Sequence, residues 1–311
     1  MPSHYRRLNG VLLFDKPSGL TSNAALQKVR RLFRAEKAGH TGTLDPLATG
    51  LLPICFGEAT KFSNMLLDAD KTYCARLSLG KTTSTGDAEG EVIAERPVKA
   101  QHPAIEAVLA KFRGEIQQIP PMHSALKHHG KPLYEYIRKG ETIARTPRTV
   151  MIHELVLDRF EKDELDITVR CSKGTYIRTL AEDIGNALGC GAHLTGLRRT
   201  AIAHFRLDDA YTLEVIETMN ESGREGCLLP LESLMPDLPV LKLDSERVRR
   251  LAQGQKLSLD TGLASGHTRL HGPQGFFGVG KLQGNHLIPD RLLSETALQA
   301  AQSVDHIGVE Q

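Results

Sequence analysis

No stretch of the chain approaches the roughly 20 consecutive apolar residues needed to cross a bilayer as a helix, so no membrane partner is expected. The opening Met1-Pro-Ser-His-Tyr-Arg-Arg7 is basic but leads into no apolar run of signal-peptide length, and a cytoplasmic location is the expectation. The five cysteines are scattered, odd in number and without a C-x-x-C pair, which excludes a disulfide framework and a zinc ribbon. Cys190-Gly-Ala-His193 carries two ligand-type side chains, but no second pair follows at a usable spacing, so no metal is expected. Neither a dinucleotide-binding nor a P-loop glycine pattern occurs, hence no nucleotide cofactor is expected. Internal repeats and low-complexity tracts are also missing. Excess charge of one sign is missing too: 39 Lys+Arg face 37 Asp+Glu, and a net +2 does not by itself announce a polyanionic partner.

What is present reads as an ordinary globular chain, with 40% hydrophobic and 24% charged residues. Its 311 residues exceed the roughly 100–200 of one typical domain, so two domains are expected. Charge is unevenly distributed. The segment 122–148 holds six basic residues (Lys127, Lys131, Arg138, Lys139, Arg145, Arg148) against Glu135 and Glu141, whereas 154–166 holds six acids and two bases. Such segregation fits either a phosphate-binding face or a merely solvated one.

Hydrophobic spacing predicts a helix from Ser22, capped by that serine and closed by Gly39, with Leu26, Val29, Leu32 and Phe33 as its apolar stripe. A second helix is predicted from Thr175 to Gly189 and a short one from Ser245 to Gln253. Period-2 alternation around Tyr73–Leu79 and Leu165–Cys171 predicts half-buried strands. Strands with one polar face among helices favour an α+β fold with a mixed or antiparallel sheet. Proline-rich 229–239 reads as a linker, placing the division at 1–240 and 241–311, the latter a small β-rich module.

The most unusual stretch is Gly39-His-Thr-Gly-Thr-Leu-Asp-Pro-Leu-Ala-Thr-Gly-Leu-Leu-Pro53. Three glycines and two prolines in fifteen residues fit neither a long helix nor a central strand, so His40 and Asp45 are placed on a structured loop. Loops on rigid scaffolds often hold catalytic groups, yet Asp-Pro is equally a common turn dipeptide.

This stretch, followed by Gly57-Glu-Ala-Thr-Lys61, resembles the signature of the TruB family of tRNA pseudouridine synthases. Asp15-Lys-Pro-Ser-Gly19, Lys71-Thr-Tyr73, Ile119-Pro-Pro-Met-His-Ser-Ala-Leu126, Ser172-Lys-Gly-Thr-Tyr-Ile-Arg178 and Cys190-Gly-Ala-His-Leu-Thr-Gly-Leu-Arg-Arg199 are similar to family segments and follow in family order. The module beyond about residue 240 is loosely similar to the PUA-like RNA-binding domain of bacterial members. The resemblance implies a pseudouridine synthase catalytic domain acting on the tRNA T stem-loop at uridine 55, without a cofactor. It makes Asp45 the essential carboxylate, packs Tyr73 against the target base, pairs Arg178 with Asp45, adds Leu197 as an apolar contact and assigns His40 to holding the remodelled RNA loop. Tyr176 and Lys16 also match family motifs, as pocket-wall or substrate-contact residues. The basic insert 122–149 would be a flexible thumb whose Lys127, Lys131 and Arg138 meet phosphates. A monomer is expected. A guide-RNA-dependent relative, a non-catalytic RNA binder and an RNA N-glycosylase are the competing readings.

Overall fold

The computed structural model describes residues 5–124, 126–137, 140–141 and 143–294, and only the backbone of Lys127, His128, Pro132 and Tyr134. The larger part of the chain is built on a ten-stranded sheet. Its main strands are β1 (Gly10–Lys16), β2 (Ala38–His40), β3 (Thr49–Phe56), β4 (Lys71–Leu79), β5 (Gly114–Gln118), β6 (Arg148–Glu161), β7 (Glu164–Cys171), β8 (Ala192–Ile202) and β9 (Tyr211–Thr212). They lie in the order β9-β1-β3-β8-β4-β7-β6-β5, with β2 beside β3. Only β1 with β9 and β3 with β8 run parallel along this path. The mixed, largely antiparallel sheet anticipated from the alternation is the one observed.

Burial follows the pleat. In β4, Tyr73, Ala75, Leu77 and Leu79 face the core while Cys74 and Arg76 face solvent. Strands β1 and β3 are apolar on both faces because both faces are covered. Leu12, Phe14, Leu52 and Ile54 join the main core, under α1 (Ser22–Leu32), α2 (His102–Lys111) and α3 (Ile177–Ala187), whereas Val11, Leu13, Leu51 and Cys55 join a second core on the other side.

That second core corrects the linker reading. Residues 229–239 are not a free tether: Leu234 and Met235 are buried in it together with Val279 of the C-terminal module, and Val11 exchanges two backbone hydrogen bonds with Leu229. Proline density marked the irregular backbone correctly, but the leucines and methionine between the prolines bury apolar area that a tether would leave in water. The module itself is a five-stranded sheet of β10 (Val240–Lys242), β11 (Leu257–Ser258), β12 (Gly266–Gly272), β13 (Gly275–Gln283) and β14 (His286–Leu292), ordered β10-β12-β13-β14-β11, with α4 (Ser245–Ala252) alongside. Phe62 meets Phe276 edge-on at 5.6 Å and Lys61 Nζ donates to the Leu292 carbonyl at 3.0 Å, so the two sheets are docked.

Two helix boundaries differ from expectation. The cap of α1 is Thr21, whose Oγ1 accepts from the Ala24 amide, and the helix ends at Leu32, well before Gly39, which lies in β2. Ser22 is drawn inward instead, and its hydroxyl both donates to the Leu44 carbonyl (3.0 Å) and accepts from the Leu44 amide (2.7 Å). Helix α3 starts at Ile177, with Tyr176 as a cap that makes no side-chain bond.

Truncating Leu234 to alanine distinguishes a core position from a tether: a loss of about 2–5 kcal/mol is expected for buried leucine, against about 0.5 kcal/mol or less for an exposed one. Urea unfolding monitored by circular dichroism reads the difference.

Candidate active site

The segment between β2 and β3 carries Asp45 and is fastened from below. Lys16 at the end of β1 is fully buried, and its ammonium donates to the carbonyls of Pro17 (2.9 Å), Leu20 (2.6 Å) and Pro46 (3.5 Å). Burial lowers its pKa to about 8, with Asp45 acting in the opposite direction. Lys16 was expected at the pocket wall or on substrate; it does not line the cavity described below, and its donors are spent on backbone beneath the loop. From the side, the Ser22 hydroxyl holds Leu44 at both backbone groups.

Arg199 of β8 completes the support. It is 1% exposed, donates to the carbonyls of Leu51 (2.8 Å) and Gly42 (3.1 Å), and sits opposite Tyr73 in the β8–β4 ladder, its guanidinium against the phenol. Close approach of the strands makes Gly50 obligatory: at φ +101° a Cβ there would lie 2.4 Å from the Arg199 carbonyl oxygen.

Above these supports opens a cavity of about 260 Å³, below the ~300–1,000 Å³ of drug-sized sites and suited to one base with part of its sugar. Asp45, Tyr73, Tyr176, Arg178 and Leu197 all line it, so five of the residues singled out from sequence meet in one place. Arg178 Nε lies 3.2 Å from Asp45 Oδ2. The guanidinium is also held by Asp87 (Nη1 to Oδ2, 3.3 Å) and donates to the carbonyls of Thr85 (3.3 Å) and His123 (2.6 Å). Asp87 is in turn fixed by the Thr85 hydroxyl (2.5 Å) and the Glu89 amide (3.1 Å). Tyr176 is oriented through its backbone, whose N–H donates to Gln118 Oε1 and whose carbonyl accepts from Gln118 Nε2.

Burial raises the Asp45 pKa above its ordinary value, outweighing the opposing pull of Arg178, and Asp87 pushes it the same way. Tyr73 is likewise raised by burial, with Arg199 opposing. The phenol is a flat surface for stacking and a poor base. His40 closes β2, does not line the cavity, and has its pKa lowered by burial and then by Arg199; its Nδ1 is buried and unpartnered among the described residues. Of the expected thumb, a tight hairpin pairs Lys127–His128 with Lys131–Pro132 and leads into a helix Leu133–Ile137; Lys131 is exposed, the Lys127 side chain is undescribed, and Arg138 lies outside the described residues. Among the described residues, no three His, Cys, Asp or Glu side chains gather as a metal site.

Three family models match the chain in succession: the TruB family pseudouridylate synthase N-terminal domain over residues 30–177, the tRNA pseudouridylate synthase B C-terminal domain over 178–236, and the pseudouridine synthase II TruB C-terminal model over 239–293. A tRNA pseudouridine synthase B of Methylobacillus flagellatus is 52% identical over 292 residues, covering 93% of this chain and 97% of that one. Another, of an Azoarcus species, is 55% identical over 289 residues, covering 93% and 96%. This chain belongs to the TruB family. It is a pseudouridine synthase. Among solved structures, a chain of a Cbf5-Nop10-Gar1 complex superposes with a TM-score of 0.69 at 27% identity, covering 91% of this chain and 84% of that one.

Beside the TruB motifs, sequence reasoning missed Asp87, Gln118 and the use made of Arg199. Asp87 and Gln118 are lone polar residues outside any periodic pattern. Arg199 stood within a quoted motif, two positions beyond the already assigned Leu197.

For a reaction that uses the Asp45 anion, the acidic limb of kcat/KM is expected at a pH above the ordinary aspartate value, moving higher still in Arg178→Met. The folded-state pKa is raised, so the wild-type fold loses stability as pH rises through it. The Tm of Asp45→Asn relative to wild type should accordingly increase with pH, as scanning calorimetry across the acid range will show.

Proposed function

We propose that this chain converts the T-loop uridine of tRNA at position 55 to pseudouridine, with Asp45 as the essential carboxylate. The observation that carries the reading is the Asp45–Arg178 pair at 3.2 Å on the wall of a base-sized cavity also lined by Tyr73. Relatives named tRNA pseudouridine synthase B cover nearly all of this chain, in support of tRNA as the substrate.

The reaction breaks the N1–C1′ bond, turns the uracil, joins C5 to C1′ and releases the C5 proton, while N1 gains one. Neither an oxidant nor an energy source enters. A stacked uridine hides its sugar carbon, so the nucleotide leaves the stack at a cost of a few kcal/mol. Tyr73 and Leu197 offer the everted base an aromatic and an aliphatic face. Asp45 can attack carbon, remove a proton or stabilise positive charge at the sugar, and all three require the anion. Arg178 keeps that anion available in a site whose burial works against it, and its own four protein partners fix its direction. Tyr176 forms part of the wall, and His40, outside the cavity, is placed to meet the displaced loop of the RNA.

In this reading residues 1–240 are the catalytic domain, with 122–149 as a thumb over the T arm, and 241–311 an RNA-binding module. The enzyme works as a monomer in the cytoplasm; no helix among the described residues is long and apolar enough to cross a membrane. The 27%-identical solved chain belongs to a Cbf5-Nop10-Gar1 complex, whereas relatives named tRNA pseudouridine synthase B are 52–55% identical over 93% of this chain, which favours action without a guide RNA.

The deciding measurement is tritium release from 5-³H-uridine tRNA: turnover by wild type, and a fall of at least a thousandfold for Asp45→Asn with the protein still folded. Retained activity in that variant would remove Asp45 from the mechanism, and free uracil among the products would mark an N-glycosylase. Separately, reversing the charge of Lys127, Lys131 and Arg138 should weaken tRNA binding and reduce its log–log salt slope by about 0.7–0.9 for each lost phosphate contact. Unchanged affinity across a salt titration would take the thumb out of the interface.

A further inference from the structure

The cavity wall carries a buried hydroxyl that no protein group satisfies among the described residues. Ser124 is 6% exposed, lines the cavity with Asp45, Tyr73 and Arg178, and its hydroxyl makes no hydrogen bond among the described residues. Buried hydroxyls normally find a partner, because desolvation without one is costly. The hydroxyl of Ser22, equally buried, makes two hydrogen bonds to the backbone of the catalytic loop. Among the described residues the Thr41 hydroxyl is also buried without a partner, but of the two only Ser124 lines the cavity, where a ligand is to bind.

Its position indicates which part of the ligand it meets. The carbonyl of the preceding residue, His123, accepts from Arg178 Nη2 at 2.6 Å, while Nε of the same guanidinium reaches Asp45 at 3.2 Å. One planar group thus spans the interval between the Ser124 wall and the catalytic carboxylate. Asp45 has to face the sugar of the everted nucleotide, since the glycosidic bond is exchanged there. The wall beside Arg178 consequently faces the sugar as well. The phosphates, being charged, stay towards the open rim, and the base lies against Tyr73 and Leu197. On the sugar of an internal nucleotide the free hydrogen-bonding group is the 2′-hydroxyl, which can donate and accept as a serine hydroxyl does.

We propose that Ser124 hydrogen-bonds the ribose 2′-hydroxyl of the everted uridine, holding the sugar against Asp45 and favouring RNA over DNA at this position. The inference rests on the pseudouridine synthase reading and adds a substrate contact to it. In the free enzyme the unpartnered hydroxyl is a cost, so its removal leaves the fold at least as stable.

The test is a two-by-two comparison of wild type and Ser124→Ala with T stem-loop RNAs carrying uridine or 2′-deoxyuridine at the target. Wild type should bind the 2′-deoxy RNA about threefold to tenfold more weakly than the ribo form, the value of one neutral hydrogen bond. Ser124→Ala should bind the ribo form more weakly by a similar factor, show no preference between the two RNAs, and have a Tm no lower than wild type. Ser124→Cys, close in shape but a weak donor, should behave like the alanine variant. Equal losses by Ser124→Ala on both RNAs, or no loss on either, would overturn the assignment, as would a lowered Tm, which would reveal a partner within the protein. Failure of wild type to convert the uridine RNA would instead overturn the functional reading.

Discussion

The site depends on a cation held almost wholly out of water. Arg178 stands in the first turn of α3, where the helix dipole offers a positive charge nothing. A side chain 7% exposed is retained there by Asp87, by two carbonyls and by Asp45. Two acids share one guanidinium, but not equally: the Asp87 side chain is 4% exposed and braced by its own loop, whereas that of Asp45 is 42% exposed towards the cavity. The buried acid neutralises and orients the arginine. The open one is then free to meet whatever enters the cavity, beside a partner that cannot swing away. Preorganised electrostatics of this kind needs no rearrangement when charge develops in the reaction.

The remainder of the catalytic core serves to keep Asp45 in register with that cation. Lys16 holds the loop from beneath, Ser22 from the side and Arg199 from the adjoining strand, each through backbone carbonyls or amides rather than through the catalytic side chain. Fixing the main chain leaves the carboxylate free to interact with substrate. Two of these supports are buried cations, and both lose basicity to burial, which shows how much desolvation the scaffold tolerates to place one acid.

Much of this was legible in the residues, and the limits have physical causes. Alternation in β4 and β7 gave the strands because one face of each is wet, and the run of glycine and proline around Asp45 ruled out regular structure there. The grouping of Asp45, Tyr73, Tyr176, Arg178 and Leu197 followed from resemblance, since no spacing rule brings such distant segments together. Lys16 stayed open between wall and substrate contact because a buried ammonium and an exposed one are the same letter. Asp87 and Gln118 were invisible because their partners are chosen by tertiary contact alone. In 229–239 the prolines dominate the composition and read as a linker, while the few apolar residues, Leu234 and Met235 among them, carry the packing.

The bond pair between Ser22 and Leu44 has a further meaning. It ties the start of α1, whose apolar stripe lies in the main core, to the residue immediately before the catalytic acid. The loop thereby belongs to the same cooperative unit as the sheet instead of fraying ahead of it. Thermal inactivation and global melting become one event for this enzyme, with little room for an intact but catalytically slack intermediate between them.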